Sequence, residues 1–147
     1  MRVGFLIENT EKFLPLISKI IPVHSQIPIL SNVLLEATKQ GFYISATNLE
    51  IGVRTKIPAK IEEEGATTVS GKQFIEALSS LPKDKSLLSS EKDSLKVKCR
   101  DDIITFQTIA RDEFPNILEQ KGEKVHSFLE KEIDITSDTC REILWKN

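Results

Sequence analysis

Few side chains in this sequence are of a type that makes or breaks bonds. His24 and His126 are its only histidines, and Cys99 and Cys140 its only cysteines. A thiol beside an imidazole can act as a nucleophile, which would cast Cys140 and His126 as a pair. No oxyanion loop or third partner accompanies them, and Cys140 falls at an apolar position of a helical repeat, where a free cysteine serves as a small hydrophobe. Metal binding needs three or four ligands at close spacing, and the scattered histidines and cysteines do not supply them. The acidic run Glu62-Glu63-Glu64 reads as a solvated turn. Neither a GxGxxG nor a P-loop is present to cradle phosphates. The sequence therefore predicts no catalytic residue, no metal and no cofactor. What remains is charge: Lys12 and Lys19 lie on the polar side of one predicted helix, and Lys72, Gln73, Ser79 and Ser80 on that of a second, with Lys83 just past its end. Long cationic side chains on neighbouring helices suit phosphate contact without base reading. Glu11 and Glu76 dilute that strip, and an ordinary solvated helix face carries the same residues.

The elements that would hold these lysines recur. Residues 3–7 read as a strand, Asn9 as a helix cap, and Phe13, Leu16, Ile17, Ile20 and Ile21 as one buried stripe. Pro15 is expected to kink this helix and Pro22 to end it. Residues 33–37, 42–47 and 51–57 alternate as strands, the last closed by Pro58. The pattern then restarts with a strand at 67–69, Ser70 as cap, and the stripe Phe74, Ala77, Leu78 and Leu81 before Pro82. A weak strand at 86–90 follows, then alternation at 95–100 and 103–109 around Asp101-Asp102. Each half thus reads β-α-β-β-β, an α+β arrangement with sheets on one side and a pair of helices on the other. Residues 111–124 read as a linker. A third copy begins at 128–135 with Thr136 as cap and Cys140 in phase with Phe13 and Phe74, at an interval of roughly sixty residues.

With 147 residues, 29% charged and 39% hydrophobic, the composition is that of a globular chain with one good core. The net charge of −2 does not announce a nucleic-acid binder, although a basic face can sit on an acidic molecule. No apolar run approaches the roughly 20 residues of a membrane span, and the N-terminus lacks a signal pattern. Two distant cysteines without CxxC suit a reducing, cytoplasmic setting.

Four segments narrow the reading. Residues 27–36 (IPILSNVLLE), 46–51 (ATNLEI), 65–69 (GATTV) and 113–116 (EFPN) resemble, in order and spacing, the N-terminal domain of the bacterial DNA polymerase III β subunit, the sliding clamp. The resemblance implies a DNA clamp fold with two βαβββ half-units per domain, sheets outside and paired helices lining a channel around duplex DNA. It implies a non-catalytic processivity factor whose partners are double-stranded DNA irrespective of sequence, the polymerase III core, the clamp loader and a second subunit that closes a homodimeric ring. Family DNA contacts map onto His24, where the family usually has arginine, and onto Lys72. Lys12, Lys19 and Lys83 fit the diffuse phosphate attraction of a sliding ring. The subunit interface of the family maps onto Gln73, Ala77 and Leu81 on the helix and Ile104 and Phe106 on the last strand. Asn48 stands where the family often has aspartate.

On this reading residues 1–124 form clamp domain one, and 125–147 a truncated start of domain two. The chain alone is then expected to form no ring, and to expose Ile133, Ile135, Ile143, Leu144 and Trp145 at the unfinished repeat. A reading from another class is a stand-alone interaction protein that pairs with a full clamp and blocks ring closure.

Overall fold

The computed structural model describes residues 1–116. Strand β1 spans Arg2–Leu6 and helix α1 Leu14–Ile20; β2 (Asn32–Thr38), β3 (Gly41–Thr47), β4 (Gly52–Ile57) and β5 (Ala59–Glu63) complete the first half. The second half runs β6 (Gly65–Ser70), α2 (Gly71–Ser80), β7 (Lys85–Glu91), β8 (Ser94–Cys99) and β9 (Asp102–Ile109). The predicted β-α-β-β-β order is present in both halves, with β5 as an addition to the first.

Several local expectations are corrected. Asn9 does not cap α1; it lies in a 3-10 turn at Ile7–Thr10, and its amide points to the Pro58 carbonyl at 3.4 Å. Helix α1 begins at Leu14, four positions after the 3-10 turn ends at Thr10, without a side-chain cap. Pro15 therefore falls in the first turn, where its missing N–H removes no intrahelical bond, and no kink is needed. Ser70 holds the cap position of α2 but makes no side-chain capping bond. The acidic run is not simply a turn: Glu62 and Glu63 belong to β5, Glu62 pairing with Arg2 at 2.8 Å. Pro58 does end β4, and the chain passes straight into β5.

All strands join in the order β4-β3-β2-β6-β9-β8-β7-β1-β5, every neighbouring pair antiparallel. The first strand of each half is exchanged: β1 pairs with β7 and β6 with β2. The two outermost strands, β4 and β5, are consecutive in the chain, so Pro58 links one edge of the sheet to the other.

Alternation puts Val33, Leu35, Phe42, Ile44, Val53, Leu88, Leu95 and Val97 on the face toward the helices, where they meet Leu14, Ile17, Phe74 and Leu78 in one core. Phe5 and Phe42 join β1 to β3 through it, with ring centroids 5.9 Å apart. Residues 117–147, and with them His126, Cys140, the exposed apolar residues predicted for the third copy and the boundary at 124, lie outside the described residues.

Candidate nucleic-acid interface

Both helices lie on the same side of the sheet and run antiparallel. Gly71, the first residue of α2, abuts Ile21 just past the end of α1, while Lys83, just past α2, reaches Glu11 ahead of α1. A Cβ on Gly71 would sit 3.1 Å from the Ser31 carbonyl oxygen and 3.2 Å from the Val33 side chain, so the close approach needs glycine there. An open groove of about 330 Å³ runs between the helices, walled by Leu14, Pro15 and Ser18 on one side and Ile75, Leu78 and Ser79 on the other. Burying Leu14 and Ile17 on α1, and Phe74 and Leu78 on α2, turns the polar sides outward.

Lys12, Lys19, Lys72 and His24 are all solvent-exposed. Lys19, in the last turn of α1, and Lys72, in the first turn of α2, belong to the same end of the helix pair. His24 lies in the loop leaving that end, next to Val23, which is 89% exposed. Lys12 stands at the opposite end, in the turn before α1 and not on the helix where the sequence placed it. Lys83 differs from the others: its Nζ is 3.1 Å from Glu11 Oε1, so part of its charge is answered within the chain. The pair is exposed and is worth little to stability. The Ser79 and Ser80 hydroxyls donate back to the Ile75 and Ala77 carbonyls at 2.7 and 2.8 Å. Antiparallel packing sets the macrodipoles of α1 and α2 against each other, leaving side-chain charge as the field that an approaching phosphate meets. This surface can attract polyanions diffusely. It presents no planar array of donors suited to reading base edges.

Of the residues assigned to a subunit interface, Gln73 is exposed, and Ala77 and Ile104 are partly buried. Leu81 and Phe106 are spent otherwise: they are 8% and 5% exposed, members of the core, with the Phe106 ring edge-on to Phe74 at 5.7 Å. Their apolar character is explained by packing within the domain. The backbone is more informative. Strand β9 pairs with β8 from Asp102 to Gln107, but with β6 only through Thr108 and Ile109. Across 102–107 its outer edge is unpaired among the described residues, and Ile103 is 60% exposed beside it.

Sequence reasoning missed one charged cluster. Glu36, 8% exposed on β2, accepts from Arg111 Nη2 at 3.1 Å and from Arg54 Nη2 at 3.4 Å, and the Arg54 guanidinium stacks on Tyr43 at 3.7 Å. Arg54 and Tyr43 were readable as outward-facing from alternation, but only the strand register sets them beside Glu36. Among the described residues no group of three or more His, Cys, Asp or Glu converges as a metal site, and no helix is long and apolar enough to cross a membrane.

Comparison with known proteins agrees with this geometry. The family described as DNA polymerase III beta subunit, N-terminal domain, matches residues 5–118. The beta sliding clamp of Synechococcus elongatus is 30% identical over 107 residues, 71% of this chain and 28% of that protein. A beta sliding clamp sequence from Vibrio harveyi is 26% identical over 146 residues, 97% of this chain and 96% of that sequence. Among solved structures, a Pseudomonas aeruginosa sliding clamp bound to griselimycin superposes with a TM-score of 0.76 at 27% identity, covering 84% of this chain and 34% of that one. The chain spans about a quarter of the length of the first curated relatives it matches. Through the domain formed by its helix pair and interleaved sheet, the chain belongs to the DNA polymerase III beta subunit family.

Proposed function

We propose that this domain is a wall segment of a DNA sliding clamp, a non-catalytic processivity factor that encircles duplex DNA and tethers a replicative polymerase. The observation that carries the reading is the antiparallel pair α1–α2, which covers one side of the sheet and turns Lys19 and Lys72 to solvent, with Lys12 exposed in the turn ahead of α1. A ring that slides must be held to DNA by its closure, so its inner surface should attract phosphates weakly and without regard to sequence. Exposed lysines on flexible stems do this, and His24, in the loop at the Lys19–Lys72 end, adds a further polar contact. Lys83 contributes less, because Glu11 competes for it. In the assembled protein the partners are the polymerase III core, the clamp loader and a second subunit, which would meet the open edge of β9 and the adjoining side of α2 at Gln73 and Ala77. The setting for such partners is the bacterial cytoplasm.

The test is fluorescence anisotropy of the whole chain with two unrelated duplexes across a salt series. The expected result is weak, equal affinity for both, falling with salt. Lys72→Glu should weaken binding to both duplexes alike and lower the log–log salt slope by about one unit or more. Lys83→Ala should change the slope less than Lys72→Ala. Strong preference for one duplex, or binding unaffected by Lys72→Glu, would count against the reading.

A further inference from the structure

On the face of the sheet away from the helices lies the Glu36 cluster, which the DNA-facing surface does not use. Its position matters because of the joint beside it. Pairing between β6 and β9 is confined to Thr68 with Ile109 and Val69 with Thr108, whereas β2–β6 is registered from Asn32–Ser70 to Ala37–Gly65 and β8–β9 from Ser94–Gln107 to Cys99–Asp102. The sheet is thus most weakly paired at this joint, between the first and last strands of the second half. Side chains reinforce it. The fully buried Thr68 hydroxyl donates to the Ile109 carbonyl at 2.9 Å and accepts from the Asn32 amide at 3.1 Å. Just beyond, Arg111 opens the 3-10 turn Arg111–Glu113 and reaches across to Glu36 on β2; Phe114, after the turn, is 4% exposed.

We propose that Glu36 and Arg111 form a latch. It docks the chain leaving β9 onto the first half-unit and holds the short β6–β9 joint closed, and so fixes the direction in which residues 110–116 leave the domain. Three features support it. The latch joins elements 75 positions apart, from opposite halves, where the strand ladder is shortest. Both carboxylate oxygens of Glu36 are engaged, so removing Arg111 leaves a nearly buried charge with Arg54 alone to answer it among the described residues. Arg54 is itself held by Tyr43, which keeps the carboxylate oriented for the second arginine.

Hydrogen exchange on the full chain tests this. Arg111→Leu keeps an apolar stem and deletes the charge. It should speed exchange about tenfold or more in peptides covering 106–114 and 66–70, while the β2–β3 hairpin and α2 keep wild-type rates. Glu36→Gln, which removes the charge at the other end, should give the same pattern. Wild-type rates at 106–114 in both variants, or acceleration spread evenly over the domain, would overturn the latch. If either variant does not fold, native-state exchange of the wild-type chain decides. The latch requires 106–114 and 66–70 to open together below the free energy of global unfolding, and opening of these segments only with the whole sheet would refute it.

Discussion

Asp84 and Arg100 illustrate how an exposed pair on a turn can set a local acid response. Asp84 accepts from Arg100 Nε and from the Lys85 backbone N–H, each at 2.7 Å. These bonds, the arginine first, hold its carboxyl below the usual 3.8. A carboxylate depressed in the folded state stabilises above its unfolded pKa, and that contribution is lost as pH falls through the folded value. Arg100→Ala should therefore lower Tm at about pH 6, and the difference from wild type should shrink on acidification below about pH 4. A Tm difference of equal size at about pH 2.5 would show the pair is not its source. Arg100 also sits at φ 53°, in the left-handed region. Arg100→Gly should thus destabilise less than Arg100→Ala, since it relieves the backbone while losing the same bond.

Elements whose inner and outer residues differ sharply were legible in the sequence. In β3, Phe42, Ile44 and Ala46 face the core, and in β8 Leu95, Val97 and Cys99 do, as period-2 alternation predicts. Helix α2 read correctly from Phe74 and Leu78. Strand β5 was hidden, because Pro58 read as a stop and its acidic residues as a turn; at a sheet edge charged side chains are tolerated, and Arg2 answers one of them. Helix α1 was placed too early because polar residues before an apolar run look like a cap, whereas Asn9 belongs to a 3-10 turn and Thr10 bonds to the Ile7 carbonyl at 2.7 Å. Of the lysine surface, residue positions were legible, but the Glu11–Lys83 pairing needed the antiparallel helix geometry. The open side of β9 is the element with most left to do. Among the described residues its outward N–H and C=O groups between Asp102 and Gln107 have no strand partner and are a template for another strand. Mixed with a full-length clamp, the chain should give a mixed-species peak by size exclusion with light scattering. Alternation along the β8–β9 ladder turns the Thr105 N–H to the open edge, so Thr105→Pro, which removes that N–H and fixes φ, should abolish the peak while duplex binding stays at the wild-type level. A peak unchanged by Thr105→Pro would place the contact elsewhere.

At the scale of the molecule, the exchange of first strands decides how the domain folds. Neither half can cover its helix with its own strands alone. Strand β1, which leads into α1, is paired between β7 and β5, and β6, which leads into α2, between β2 and β9. A half cut free would lose a paired neighbour on each side of the exchange and expose Val33, Leu35, Leu88 and Val97 to water. Burying an aliphatic side chain of this kind is worth ~1.5–3 kcal/mol, so a few such exposures match the whole stability of a small domain. The halves should consequently be unfolded when separate and folded when together. The place to cut is Glu64, which is exposed and lies between β5 and β6. A protease site inserted there should give a nicked protein that stays associated through native purification and melts in one transition. After separation in denaturant, residues 1–64 and 65–147 should each lack the near-ultraviolet dichroism of the intact chain, and mixing them should restore it. The chain carries few aromatics, but Phe5 with Phe42 and Phe74 with Phe106 supply probes within the core. Native dichroism in either half alone would mean that the half-unit, and not the interleaved pair, is the folding unit. The β-α-β-β-β repeat would then describe stability as well as topology.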